Sequence, residues 1–188
     1  MKCEGLSLGN VFKFKYLGSI FAADGSQEYD IERRVALAMK RCGQLRQCFD
    51  SEVISQEVKI KIYKAAVMSL MTYGNEAWSL NASAMAKING ANARCLSRIT
   101  GKPAHQEASK RTQSYDIIRD LRRRRFQWLG HILCMQENRL VLKAVKVQYD
   151  KGECSNMLYD APVTRSFDEL RTIASDRGVW KTLRNNII

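Results

Sequence analysis

The sequence is poor in residues that interrupt helices, because its 188 residues include only two prolines, Pro103 and Pro162. A proline inside a helix removes a backbone hydrogen bond and clashes with the preceding turn, so long helices are permitted here. No apolar run approaches the roughly 20 residues that cross a bilayer. The first residues, Met-Lys-Cys-Glu-Gly, also lack the apolar core of a signal peptide. We therefore expect an intracellular protein, in the nucleus or the cytoplasm, that does not enter a membrane.

Patterns that bind metals or cofactors are absent too. None of the six cysteines forms a Cys-x-x-Cys pair or has a histidine at zinc-finger spacing, and a disulfide framework is not expected inside the cell. Cys42, Cys95 and Cys134 fall on helical patterns, so we interpret them as small core residues. The two histidines, His105 and His131, offer little for a catalytic triad, and there is no glycine-rich phosphate loop. We expect no metal and no cofactor.

Carboxylates that could converge on a two-metal polymerase or nuclease site are also missing, since no two aspartates are adjacent. Asp24, Glu28, Asp30 and Glu32 come nearest to an acidic cluster. They straddle a turn and the start of a helix, where the helix dipole favours acids. We therefore expect no catalytic residues in this chain.

What the sequence does have is positive charge. The formal net charge is +12 and the isoelectric point is about 9.6. Residues 101–150 carry eleven lysines and arginines and five acids. Their net charge of +6 is half of the net charge of the chain. A charge of this size favours an anionic partner, such as nucleic acid, an acidic protein or a membrane surface.

The most informative stretch is residues 122–132, where four arginines precede Phe-Gln-Trp-Leu-Gly-His-Ile. Arginine forks bind phosphate and flat rings stack on bases; the alternative is a solvated basic turn before a core helix. On a helical wheel Arg125 falls near the centre of an apolar arc and Arg122 near its edge, whereas Arg123 points away. Because a buried unpaired guanidinium is costly, three possibilities stay open: the helix breaks near Arg125, Arg125 meets a carboxylate, or this face meets an anion. The arc contains Ile117, Ile118, Leu121, Trp128, Leu129 and Ile132.

Periodicity predicts a mostly α protein, a helical bundle with a short N-terminal β-hairpin or edge strand. In residues 11–21 three aromatics alternate with lysines, as in a strand, and Asp24-Gly25 is a turn signal. Helices are predicted from about Gln27 to Phe49, over 56–73 with Ser55 as N-cap, over 82–99 with Gly101 just past the end, over 114–136, and in two short pieces near 166–175 and 177–186 that Trp180 anchors. Residues 65–71 are apolar nearly all round, which predicts burial on every side in the middle of the bundle. Residues 151–166 are predicted to be a loop. The Gln27 helix has one apolar stripe, and its basic residues are interpreted as solvated: Arg33, Arg34, Lys40 and Arg41.

Several segments together resemble the distal reverse-transcriptase region of non-LTR (LINE-type) retrotransposons. Their order and spacing follow the family over about residues 14–140. Residues 151–165 do not match the basic segment that relatives often carry. Residues 174–181 are similar to the C-terminal end of the family's sequences. The segments that carry the resemblance are Phe14-Lys15-Tyr16-Leu17-Gly18-Ser19-Ile20, Asp24-Gly25, Ile31-Glu32-Arg33-Arg34, Lys61-Ile62-Tyr63-Lys64-Ala65, Tyr73-Gly74-Asn75-Glu76-Ala77-Trp78, residues 94–101 and residues 122–133.

The resemblance implies the thumb and the region after it, without the polymerase aspartates of the palm or the endonuclease. Four segments are then expected: 1–25 as end-of-palm or primer-grip-like β structure, 26–101 as a thumb-like bundle, 102–150 as a basic post-thumb helical region, and 151–188 as an irregular end with short helices. The expected role is non-catalytic binding of RNA or of an RNA–DNA or DNA duplex, independent of base sequence.

The residues expected to contact phosphate are Arg122, Arg123, Arg124, Arg125, Lys59, Lys61 and Lys64. Trp128 and Tyr73 are candidates for stacking on bases, although a role as core anchors is favoured for both. Gly130 and His131 are interpreted as packing residues. The alternative function is a helical protein-interaction module, truncated or domesticated from a retrotransposon, that docks through exposed apolar surface, for instance onto a palm supplied in trans.

Overall fold

The computed structural model describes residues 9–78, 81–101, 116–151 and 166–187, and the backbone of two short strands before them. The described part is mostly α-helical, as the periodicity predicted. The chain divides into two compact units, Met1–Tyr73 and Gly74–Ile188. The four predicted segments stay a prediction. His105 and most of the predicted loop 151–166 lie outside the described residues.

The first unit begins with β1 (Lys2–Cys3) and β2 (Leu6–Ser7), which pair antiparallel, and continues with β3 (Lys13–Tyr16) and β4 (Ser19–Ala22). The second pair is the predicted hairpin, with Phe14 opposite Phe21. Its two turn residues, Leu17 and Gly18, have φ of +47° and +86°. Two positive φ values match the right-handed twist of the flanking strands. Asp24-Gly25 forms a second turn after β4, where the Gly25 N–H donates to the Ala22 carbonyl at 3.0 Å.

Four helices complete the first unit. They are α1 (Glu28–Gln44), α2 (Arg46–Asp50), α3 (Gln56–Tyr63) and α4 (Ser69–Met71), with a π-helical turn at Lys64–Met68 between the last two. Ser55 caps α3 as predicted, because its Oγ accepts from the Val58 N–H. The apolar stripe of α1 and α2 is confirmed, and it packs against the π-helical turn, α4 and β4. The buried core of the unit includes Ile31, Ala38, Cys42, Phe49, Ile60, Tyr63, Val67 and Met71.

The second unit starts with a 3-10 turn, Asn75–Ala77, and has five described helices. These are α5 (Ala82–Thr100), α6 (Ile117–Leu133), α7 (Leu140–Asp150), α8 (Phe167–Ser175) and α9 (Arg177–Asn185). Gly101 ends α5 with φ +66°, as predicted for the residue after a helix. Helix α6 is central, because it contacts the 3-10 turn and every other described helix of the unit. Its C-terminal half forms the core with α7, α8 and α9.

Periodicity did not predict helix α7, although the helix lies within residues 102–150, which the family resemblance implied to be helical. Only two of its eleven residues, Leu142 and Val145, are buried, so its apolar stripe is too short to stand out. Three of its residues are β-branched valines, which have modest helix propensity. Packing against α6 and α8 stabilises this helix, because its own helix propensity is modest.

Three other predictions about burial are wrong. Cys134 is exposed, because it lies just past the end of α6. Residues 65–71 are not buried on every side, since Ala65 and Ser69 face solvent. Arg34 is not solvated but 5% exposed, because it turns toward the hairpin rather than toward water.

Candidate nucleic-acid interface

Helix α6 carries the whole arginine run in its middle. It begins at the Asp116 N-cap, whose Oδ1 accepts from the N–H groups of Ile118 at 2.9 Å and Arg119 at 3.2 Å. It then runs unbroken to Leu133. Four consecutive residues of a helix point in four directions. The four arginines therefore do not form one patch.

Arg125 is buried, with 4% of its surface exposed, as the helical wheel placed it. The first of the three possibilities, a helix break at this residue, is wrong because α6 is continuous. Arg122 is half-buried, and both side chains have partners in the structure. Neither residue is presented to solvent as a phosphate contact would need to be, so burial does not favour Arg125 for that role in this conformation.

Arg123 lies on the side of α6 that meets α9, and Arg124 lies next to it, about 100° further round the helix. Arg124 is exposed and its Nε lies 3.3 Å from the Asp120 carboxylate. The Arg123 Nη2 donates to the Asn185 carbonyl at 2.7 Å, so this side chain crosses to the C-terminal end of α9. One turn on, the Arg184 Nη1 donates to the Gln127 Oε1 at 3.2 Å. Side chains from both helices therefore interleave along one seam.

Helix α9 adds its own cations to this seam. At 100° per residue, Arg177, Lys181 and Arg184 fall within one arc of about 60°, beside the buried Trp180. We call the resulting surface the basic strip. Among the described residues its acidic neighbours are Asp120, which pairs with Arg124, and Asp176, which caps α9. The strip therefore has an excess of positive charge; its members are Arg123, Arg124, Arg177, Lys181 and Arg184.

The two helices approach closely at Gly130. A Cβ on Gly130 would lie 2.2 Å from Nε1 and 2.6 Å from Cε2 of Trp180. The indole in turn stacks on Phe126, with ring centroids 4.1 Å apart and planes 9° apart. The prediction that Gly130 is a packing residue is confirmed, and so is the role of Trp180 as the anchor of the last helices. This contact holds the two halves of the basic strip together.

Trp128 is the main departure from the expected core of α6. Its side chain is 38% exposed, and its ring lies 5.3 Å from the ring of His131, which is also exposed. The favoured interpretation of Trp128 as a core anchor is wrong, as is that of His131 as a packing residue. The reason is that the buried face of α6 rotates along the helix. Its first half meets the 3-10 turn, where the Asn75 Nδ2 donates to the Leu121 carbonyl at 3.2 Å, whereas its second half buries Phe126, Gly130 and Leu133 and leaves Trp128 exposed.

The three predicted lysines of the first unit differ in exposure. Lys59 is 9% exposed, and Lys64 is half-buried and has a partner. Lys61 is exposed, but its Nζ lies 2.7 Å from the Glu57 carboxylate. Contact of these lysines with phosphate stays a prediction, and their burial and pairing do not favour it.

Tyr73 belongs to a cluster at the hairpin turn that the sequence interpretation missed. Arg33 and Arg34 both donate to the Gly18 carbonyl, Arg33 at 2.6 Å. Asp30, 3% exposed, accepts from the Ile20 N–H at 3.0 Å and faces the Arg34 Nε at 3.7 Å. We call this cluster the hairpin clasp. It consists of Gly18, Asp30, Arg33 and Arg34.

The ring of Tyr73 lies under the clasp rather than in the core. It is 52% exposed, so its interpretation as a core anchor is also wrong. The Arg34 guanidinium lies 4.3 Å from the ring centroid, a cation–π distance. Burial lowers the pKa of Arg34, and the Asp30 carboxylate opposes this lowering. The only sequence signal was Asp30 four residues before Arg34, a spacing at which opposite charges meet on a helix.

No group of three or more potential metal-binding side chains occurs in the described ranges. Within the same part of the chain, no helix combines the length and apolar character needed to cross a membrane.

The chain is similar to an uncharacterized transposon-derived protein of Caenorhabditis elegans. The two are 23% identical over 141 residues, which are 70% of this chain and 50% of the relative. The chain thus spans about half of the length of that protein. No protein-family profile matches the chain, and no solved structure matches it. The similarity is consistent with a transposon origin.

Proposed function

We propose that this chain is a non-catalytic part of a LINE-type RNA-directed DNA polymerase that binds RNA or a template–primer duplex through the basic strip. One observation carries the proposal: Trp128 and His131 form an exposed aromatic pair beside Arg124 on the same face of α6. The exposed 38% of the Trp128 surface forgoes hydrophobic free energy that complete burial would recover. Its position is explained if a base stacks on it.

Charge supports the same proposal. The strip presents five cations along two packed helices, and guanidinium groups suit phosphate geometry because of their planar fork. Arg124 and Trp128 are one helical turn apart, so a phosphate at the first and a base at the second can belong to neighbouring nucleotides. Such contacts read the backbone rather than the base sequence. The transposon-derived relative is compatible with this role.

The test is a titration of an RNA–DNA duplex at several salt concentrations. Each phosphate contact contributes about 0.7–0.9 to the slope of log K against log salt. Replacing both Arg124 and Lys181 with alanine should therefore lower that slope by about 1.5 and weaken binding at low salt.

A matched control is Arg46→Ala in the first unit. Its Nε lies 3.1 Å from Asp50 in an exposed pair four residues apart, just as Arg124 pairs with Asp120. The control removes one positive charge and the same kind of ion pair as the Arg124→Ala part of the test variant, and it should leave the slope unchanged. A slope that is flat in the parent protein, or equally reduced by Arg46→Ala, contradicts binding through the basic strip.

The proposal also holds that the chain does not polymerise by itself. A primer-extension reaction with this chain, a primed RNA template and magnesium should give no product. Extension above background, retained after repurification, would overturn the non-catalytic assignment.

A second function, docking onto a reverse-transcriptase palm supplied in trans, is favoured by the hairpin. Phe14, Tyr16 and Phe21 are each 57% exposed, and the rings of Phe14 and Tyr16 stack at 6.5 Å. Phe14 and Phe21 are opposite each other and share one face. The variant Phe14→Ser/Phe21→Ser should abolish co-purification with a co-expressed palm and leave duplex affinity intact. Unchanged co-purification argues against docking through this face.

A further inference from the structure

An open cleft of about 680 Å³ lies where α6 meets α7. It is lined by the last exposed turn of α6, the connecting residues and the first residues of α7. Its volume is in the range of small-molecule sites. The lining residues are His131, Met135, Gln136, Asn138, Arg139, Leu140 and Val141.

Polar groups of the cleft are unengaged. No hydrogen bond or ion pair to another described residue is made by the side chains of Gln136, Asn138 or Arg139. The nearby Glu137 differs, because its carboxylate binds Arg171 at 3.1 Å, away from the cleft lining. Two amides and a guanidinium without partners are available to a ligand that has donors, acceptors and negative charge.

The apolar part of the cleft is exposed to an unusual degree. Leu140 is 81% exposed and Val141 is 47% exposed. The ring of His131 forms another part of the lining, with the ring of Trp128 next to it. A flat ligand could therefore lie between an aromatic surface and aliphatic side chains.

The cleft continues the face of α6 that carries the exposed end of the basic strip. Arg124, Trp128 and His131 follow one another along that face at spacings of four and three residues, which covers about 10 Å. A strand held at Arg124 would reach the cleft within two nucleotides. The cation at Arg124, the aromatic pair and the cleft therefore lie one after another along the same face of α6.

We propose that the cleft binds one unpaired nucleotide of the strand held by the basic strip. The base lies against His131 and contacts Leu140. The amide of Asn138 meets the base edge, where an amide can both donate and accept, as it does with adenine. The Arg139 guanidinium binds the phosphate of the same nucleotide. This assignment rests on the proposed function and adds the preference for an unpaired base.

The first arm of the test uses adenosine monophosphate alone, with the full chain and tryptophan fluorescence as the readout. The ring of Trp128 is next to His131, so a base in the cleft should quench its emission in a saturable way. The variant Asn138→Ala/Leu140→Ser alters no charge, and it should weaken this binding roughly tenfold because it removes the amide hydrogen bond to the base edge and the aliphatic contact. The control Val147→Ser changes an exposed residue of α7 that does not line the cleft, and it should bind like the parent.

The second arm compares an RNA–DNA duplex with one unpaired adenosine to the fully paired duplex. The parent should bind the former roughly tenfold more tightly. In Asn138→Ala/Leu140→Ser that ratio should fall to about one, while affinity for the paired duplex and its salt slope stay unchanged. Circular dichroism of both variants checks that they are folded.

The outcomes separate this inference from the proposed function. In one outcome, the paired duplex binds in a salt-dependent way with no preference for the unpaired adenosine. That result overturns the cleft assignment but still supports binding through the basic strip. Saturable quenching by the mononucleotide with no duplex binding overturns the proposed function and reassigns the cleft to free nucleotides. An equal loss in Val147→Ser and in the cleft variant overturns the assignment as well.

Discussion

Gly130→Ala should destabilise the second unit, although alanine is normally the better helix former. The new Cβ would lie within 3 Å of three Trp180 ring atoms: Nε1 at 2.2 Å, Cε2 at 2.6 Å and Cδ1 at 2.9 Å. The indole cannot easily move, because it is 7% exposed and stacked on Phe126 at 4.1 Å. Overpacking a rigid contact costs about 1–3 kcal/mol, and three short contacts favour the upper end. The gain in helix propensity is about 1 kcal/mol.

The net prediction is a loss of about 2 kcal/mol in the free energy of unfolding. Urea titration followed by tryptophan fluorescence measures it. All three tryptophans lie in the second unit, so the signal reports on that unit. The matched control is Gly90→Ala in α5, where an added Cβ meets nothing within 4 Å. That variant should gain about 0.5–1 kcal/mol.

A double-variant cycle tests the cause directly. With Trp180→Leu already present, Gly130→Ala should no longer destabilise, because a smaller and flexible side chain faces the new methyl group. If Gly130→Ala proves as stable as Gly90→Ala, the close approach of α6 and α9 is wrong. If the loss persists unchanged in the Trp180→Leu background, the contact is not its cause.

Two further changes test the local structure. Arg34→Leu removes the ion pair between Arg34 and the buried Asp30 and should cost the first unit about 3 kcal/mol. Hydrogen exchange of hairpin amides measures this, and protection equal to the parent would refute the clasp. Asp116→Ala removes the N-cap of α6 and should cost about 1 kcal/mol in the fluorescence-monitored urea titration, whereas Asp116→Asn should cost much less. Equal losses in the two Asp116 variants would contradict capping.

Elements with regular periodicity could be predicted from the sequence. The stripe of α1, the Ser55 cap of α3 and the glycine after α5 are local patterns, and each appears where expected. The two short last helices were predicted within a residue or two of their bounds, Phe167–Ser175 and Arg177–Asn185. Local hydrogen bonding and i, i+4 packing determine such features, so a short window of sequence contains the information.

Features that depend on a distant partner could not be predicted. Arg34 resembles the other basic residues of α1 in sequence, and its burial follows from the position of the Gly18 carbonyl, sixteen residues earlier. Helix α7 has only two buried residues and forms against α6 and α8. The exposure of Trp128 required knowing which neighbours each half of α6 meets.

The arginine run has features of both kinds, some set by local sequence and some set by distant partners. The sequence by itself determined that the region is strongly basic and that Arg125 points toward the apolar arc if the helix is continuous, because these follow from composition and helical geometry. The continuity of the helix through Arg125 was established by the structure. Only the tertiary structure decided which arginines are available to a ligand. Helix α9 packs on α6 through Trp180 and Gly130, and it adds its own cations beside Arg123 and Arg124. Exposure depends on what covers each face of a helix, and the covering helix begins more than fifty residues later in the chain.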